Sequence, residues 1–181
     1  MTSGTLSPLT SFASELGIDF PIQFEAQHVV DSKQIWCNVI SRVGTVELRG
    51  TYEHTTTNTY KDSIGRALLH IVQSVPDGVL CFFSSYTLLN SMIDRWKSID
   101  LYTQISDYKK ICIEYQNADK LEKERQLFDI ANSESKRIEK GWSVTGGLFL
   151  AVSRGKLSEG IDFSDASGRA VVLVGMYTVI E

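Results

Sequence analysis

Cysteine is scarce in this chain of 181 residues: Cys37, Cys81 and Cys112 are the three present, and each stands in an apolar segment. An odd, widely spaced set supports neither a disulfide framework nor a Cys-x-x-Cys metal site, so buried free thiols in a reducing compartment are expected. Positive charge is also short, with 18 Lys and Arg against 22 Asp and Glu, a net charge of -4 and a pI near 5.4. This balance excludes a generally basic coat, so any contact with nucleic acid must come from a local patch. No apolar run approaches the roughly 18 residues of a membrane span, and the first residues lack the basic-then-apolar order of a secretory signal. An intracellular, soluble chain with no membrane partner is the expectation.

Several catalytic signatures are absent as well. No Gly-x4-Gly-Lys-[Ser/Thr] phosphate loop occurs, because Gly155-Lys156 is followed by Leu157 and preceded by Ala-Val-Ser-Arg. A nucleoside triphosphate cannot be cradled by this chain alone. There is no Asp-Glu-Ala-His-type magnesium motif, no His-Glu-x-x-His pair and no nucleophile elbow. His28, His54 and His70 stand apart from one another and read as surface or structural residues.

What is present is a globular composition, 43% hydrophobic and 22% charged, long enough to bury one substantial core. Ser7-Pro8 reads as an N-cap followed by proline at the first helical position, and Leu9, Phe12, Ala13 and Leu16 recur at helical spacing up to Gly17. From Phe20 to Arg49 the pattern is strand-like, clearest over Ile35–Ile40, and Trp36 is expected in a core. Thr55 to Asn58 form a polar turn, and Tyr60, Ile64, Ala67, Leu68 and Ile71 then give one helical stripe that ends before Pro76.

Asp77-Gly78 turns the chain into a buried strand, Val79 to Phe83. Ser84-Ser85-Tyr86 follows and opens a helix carrying Leu88, Leu89, Met92, Ile93 and Trp96. Such a helix start can hold a phosphate with its free N–H groups and hydroxyls, or Ser84 or Ser85 can simply cap the helix. Ile111 to Ile113 is a third short strand, and Asp119 to Glu139 is a charged amphipathic helix whose charges form a solvated face. Leu148–Val152 and Ala170–Val174 are near-continuously apolar, as parallel strands covered on both faces require. Between them lies a polar loop with Arg154, Lys156, Ser158, Glu159, Asp162 and Asp165 around Gly155 and Gly160. The repeating β-α-β pattern implies an α/β fold with a parallel sheet and flanking helices.

Arg154-Gly155-Lys156-Leu157-Ser158-Glu159-Gly160-Ile161-Asp162-Phe163 resembles motif V of the XPD-like superfamily 2 DNA helicases. Thr2 to Pro8 is similar to their motif III, and Val75 to Tyr86 to their motif IV. The three lie in the family's order. Ser14-Glu15-Leu16-Gly17 and the segment from Gln23 to Val30 look most like the Fanconi anaemia group J branch. The resemblance implies a RecA-like second helicase lobe, residues 1–181, lying across a cleft from a first RecA-like lobe. That first lobe would carry the phosphate loop, the metal carboxylates and the domain with the family's iron–sulfur cluster, none of which is in this chain.

For the intact helicase the resemblance implies ATP and Mg2+ as cofactors and single-stranded or forked DNA as partner. It further implies 5′-to-3′ movement, other DNA-repair proteins as partners, and work in the nucleus. By analogy Glu159, Gly160 and Asp162 face the nucleotide cleft, and Arg154, Lys156 and Ser158 lie near the DNA track or the lobe interface. Thr5 and Ser7 couple the lobes, while Ser84, Ser85 and Tyr86 touch the DNA backbone. Simpler readings stand beside these: Asp162 can cap a turn, and Arg154 can pair with Asp165 in a surface ion pair of small value.

Two departures matter. Many relatives carry proline at the position of Ser84, and the family's Gly-apolar-Pro-aromatic-Pro continuation is replaced by Gly175-Met176-Tyr177-Thr178. A C-terminally truncated lobe, a fragment of a longer helicase, is therefore expected. The alternative is a non-catalytic truncated lobe that binds single-stranded DNA or a protein partner. A nucleotide-sugar-binding half of a Rossmann-like transferase is a weaker rival, opposed by the three ordered motifs.

Overall fold

The computed structural model describes residues 9–22, 24, 30–153, 155, 163 and 165–175. They fall into two units, Met1–Val39 and Ile40–Glu181. In the first, helix α1 (Leu9–Leu16) ends at Gly17, whose φ of 63° is left-handed. The Gly17 and Ile18 N–H groups donate back to the carbonyls of Ser14 and Ala13, both at 3.2 Å, a Schellman closure of the helix. The Phe12 and Phe20 rings stack at 6.1 Å.

A short 3-10 turn, Ser32–Gln34, is held by a reciprocal cap. The Asp31 side chain accepts from Lys33 N–H at 2.9 Å, and Gln34 Oε1 accepts from Asp31 N–H at 2.8 Å. The strand expected over Ile35–Ile40 does not form. A strand is defined by a partner ladder, and no described residue pairs with this stretch. Trp36 is accordingly 80% exposed instead of buried in a core, and Cys37 is exposed too.

The second unit opens with a hairpin, β1 (Arg42–Val43) and β2 (Val46–Glu47), closed by the two-residue loop Gly44-Thr45. Helices α2 (Tyr52–Thr55) and α3 (Asn58–Ser74) follow, the latter capped by Thr57 Oγ1 accepting from Tyr60 N–H. Strand β3 (Val79–Phe83) leads into α4 (Tyr86–Ser98), α5 (Leu101–Ser106) and β4 (Lys110–Ile113). Helices α6 (Ala118–Asn132) and α7 (Glu134–Glu139) then lead to β5 (Gly147–Val152), a 3-10 turn (Asp165–Gly168) and β6 (Ala170–Val174). The single helix expected over 119–139 is thus two. Asn132 turns inward, where its Oδ1 accepts from Gly147 N–H at 2.8 Å, and Ser133 is extended at φ -100° and ψ 115°.

The four long strands are all parallel, in the order β4-β5-β3-β6. Side chains alternate across a strand, so the two faces can be read from β3 and β5. Val79, Cys81, Phe83, Leu148, Leu150 and Val152 pack with Leu68, Leu89, Met92, Trp96 and Ile105 from α3, α4 and α5. Leu80, Phe149 and Ala151 pack on the other face with Leu121 and Phe128 from α6. Burial on both faces explains the unbroken apolar runs of β3 and β5, each such side chain contributing roughly 1.5–3 kcal/mol. Trp96, fully enclosed, also donates from Nε1 to the Lys61 carbonyl at 2.8 Å, which fixes α4 against α3. Cys81 and Cys112 are buried as expected, and burial pushes both thiols well above their ordinary pKa.

At the amino ends of the strands, fully enclosed Lys109 donates from Nζ to the carbonyls of Asp77 at 2.7 Å and Thr145 at 3.3 Å. Burial is the leading cause that lowers its pKa from the ordinary lysine value to about 8. Asp77 itself stands at a left-handed φ of 57°, with Arg137 and Arg169 at 3.8 and 3.7 Å from its carboxylate.

Candidate functional site

Because the strands are parallel, the loops that follow them meet at one edge of the sheet. The crossover after β3 runs through α4 and α5 on one face, and the crossover that leads into β5 runs through α6 on the other. The chain after β5 must then pass β3 to reach β6. The loops that follow adjacent β3 and β5 therefore start side by side at the carboxyl edge, where open α/β sheets place ligands, and Ser153 N–H donates to the Phe83 carbonyl there at 2.8 Å. Ser84, Ser85 and Tyr86 follow β3 at this edge, and Ser153 and Gly155 follow β5.

Ser85 is the N-cap of α4, with extended backbone and an Oγ that accepts from Leu88 N–H at 3.2 Å. The capping alternative foreseen for the two serines thus belongs to Ser85. Ser84, one residue outside the cap, is exposed, and Gly175 at the end of β6 comes so close that a Cβ there would lie 3.3 Å from Ser84 Oγ. The first-turn N–H groups that the cap does not use, the Ser84 hydroxyl and the helix dipole together favour an anion at this point.

Tyr86 turns the other way. Its hydroxyl donates to Glu114 Oε1 at 3.1 Å, while Glu114 Oε2 accepts from Val152 N–H at 2.7 Å. Glu114 is 2% exposed and directly follows β4. Burial, and then the Glu114 charge and hydrogen bond, raise the Tyr86 pKa, so the phenol stays a donor. Gly155 closes a turn by donating to the Val152 carbonyl at 2.9 Å, and a Cβ on it would lie 2.5 Å from Glu114 Oε1 and 2.8 Å from Val152 O. Further along, Phe163 meets Phe128 of α6 edge-on at 6.0 Å.

Of the residues named from sequence, the structure brings together Ser84, Ser85, Tyr86 and Gly155 at one edge. Thr5, Ser7, Arg154, Lys156, Ser158, Glu159, Gly160 and Asp162 lie outside the described residues. Sequence reading missed Glu114, although a carboxylate immediately after a buried strand of a parallel sheet is a signal that could have found it. Among the described residues no group of three or more His, Cys, Asp or Glu could hold a metal ion, and no helix is long and apolar enough to cross a membrane. A cavity of about 410 Å³ lies elsewhere, lined by Tyr102, Lys110 and Trp142 among others, with the Lys110 ammonium 5.1 Å from the centre of the Trp142 ring.

A parallel four-stranded sheet with helices on both faces, and loops converging at its carboxyl edge, is the architecture of a RecA-like lobe. The chain belongs to the helicase C-terminal domain family, whose model matches residues 68–177. That span contains both the Val75–Tyr86 and the Arg154–Phe163 segments. The chain is 39% identical over 180 residues to the Fanconi anemia group J protein homolog of Gallus gallus, covering 97% of this chain and 14% of that protein. It is 40% identical over 184 residues to the regulator of telomere elongation helicase 1 homolog of Arabidopsis thaliana, covering 97% and 17%. The homolog of the same helicase in Drosophila melanogaster is 36% identical over 177 residues, again 97% and 17%. The chain thus spans 14–17% of the length of these curated relatives.

Proposed function

We propose that this chain acts as the second motor lobe of an ATP-dependent DNA helicase, contributing one wall of the ATP cleft and part of the single-stranded DNA track. The observation that carries the reading is the convergence of the loops after β3 and β5 at the carboxyl edge of a parallel sheet, in a chain of the helicase C-terminal domain family. At its β3 side a helix start and Ser84 offer uncommitted donors to a phosphate of the DNA backbone. The segment that leaves Gly155 carries Glu159, Gly160 and Asp162, assigned to the nucleotide cleft, and Lys156 and Ser158, assigned with Arg154 to the track or the lobe interface. Thr5 and Ser7 couple this lobe to the first, which supplies the phosphate loop.

In this scheme ATP with Mg2+ closes the cleft between lobes and product release opens it, so that grips on the strand alternate in a 5′-to-3′ direction. The iron–sulfur cluster belongs to the first lobe. Work on forked DNA in nuclear repair or replication, alongside DNA-repair proteins, completes the proposal.

The second reading, a non-catalytic lobe that binds single-stranded DNA or a protein partner, is favoured for the chain by itself by the absence of a phosphate loop. The motor-lobe reading and the DNA-binding form of the second require single-stranded DNA binding that weakens steeply as salt rises, measured by fluorescence anisotropy; salt-independent or absent binding would sink both and leave the protein-partner form. They separate in the longer protein that carries the chain. There E159A or D162A should lower DNA-stimulated ATP hydrolysis more than DNA binding, and equal loss of the two would remove these residues from the cleft.

A further inference from the structure

Glu114 joins three loops that have no neighbours in sequence. It ends β4, takes the hydroxyl that opens α4 after β3, and takes the last N–H of β5. Oε1 accepts from Tyr86 and Oε2 from Val152, which fixes its rotamer. Against that fixed group the chain folds back at Gly155, where the space for a side chain is already filled by the Glu114 carboxylate and the Val152 carbonyl. Beyond the Gly155 turn the next described residue, Phe163, meets Phe128 of α6 edge-on.

We propose that Glu114 is a positioning residue: through Tyr86 and Val152 it sets the α4 start and the Gly155 turn at one fixed separation. The proposal rests on the helicase-lobe reading for what that edge of the sheet grips. Glu114, 2% exposed, acts through these neighbours. A glutamine can keep the arrangement, since its carbonyl oxygen accepts from Val152 N–H and its amide donates to the Tyr86 oxygen. An alanine cannot, and leaves a buried N–H without a partner.

The test compares the full 181-residue chain with E114A and E114Q by amide hydrogen exchange and by anisotropy with a single-stranded oligonucleotide. In E114A the Val152 and Gly155 amides should exchange about tenfold faster or more while Leu148 and Leu150 keep their rates. Oligonucleotide affinity should fall about tenfold in E114A, and E114Q should recover both properties to within about threefold. Unchanged exchange at Val152 and Gly155 in E114A would overturn the proposal. So would an equal rise at Leu148 and Leu150, which marks general loosening, or an E114Q no better than E114A. If the unaltered chain fails to bind the oligonucleotide, the helicase-lobe reading falls while the exchange rates still decide the role of Glu114. Should E114A not accumulate, G155A carries the test, because its added methyl group must displace the same carboxylate and quicken the same two amides.

Discussion

Lys109 holds the approaches to β3 and β5 together from inside the protein, its amine on the carbonyls of Asp77 and Thr145. A pKa of about 8 in the folded chain gives this pin a pH dependence. Below pH 8 the lysine is charged in both states. From pH 8 to about 10.5 the folded state has released a proton that the unfolded state still binds, so stability rises with pH by up to about 3 kcal/mol. The buried thiols and phenols act in the opposite direction at alkaline pH, but they are common to wild type and K109M. The difference in urea-unfolding free energy between those two proteins should therefore move in favour of wild type from pH 8 to 10; a flat difference would show that Lys109 keeps an ordinary pKa. No pattern in the sequence announces such a residue, because Lys109-Lys110 reads as surface charge. Trp36 is the reverse case, an aromatic 80% exposed in a stretch with which no described residue pairs.

At the scale of elements, the serines that open α4 divide two tasks. Ser85 is occupied by the Leu88 N–H, so S85A should cost about 1 kcal/mol of stability. Ser84 does not serve the cap, so S84A should leave the melting temperature close to wild type and weaken single-stranded DNA binding. Thermal melts beside anisotropy check the split, and a melt lowered by S84A as far as by S85A would reject it. Elements with one strong local signal were legible in the sequence: α3 with its stripe, β3 and β5 as continuous apolar runs, and α1 closed by Gly17. Those decided by distant partners were not. The break at Ser133 follows from Asn132 reaching the start of β5, fifteen residues on, and α5 is a six-residue helix too short to show a period. The same holds for the site: Ser84 to Gly155 could be nominated in sequence, whereas Glu114 gains its meaning only when β3, β4 and β5 lie side by side.

For the molecule as a whole, the strand order sets a kinetic problem. Pairing of β3 with β5 and β6 joins Val79 to Leu148 and to Ala170, so the central ladder closes over long separations and refolding on the millisecond-to-second scale is expected. Stopped-flow Trp fluorescence after urea dilution checks this through Trp96, and a microsecond relaxation would contradict it. During synthesis β3 stands with both edges bare until β5 and β6 have been made, an exposed template for aggregation. The parallel order that brings the loops together at one edge thereby leaves the central strand waiting, in every newly made copy, for partners encoded much later in the chain.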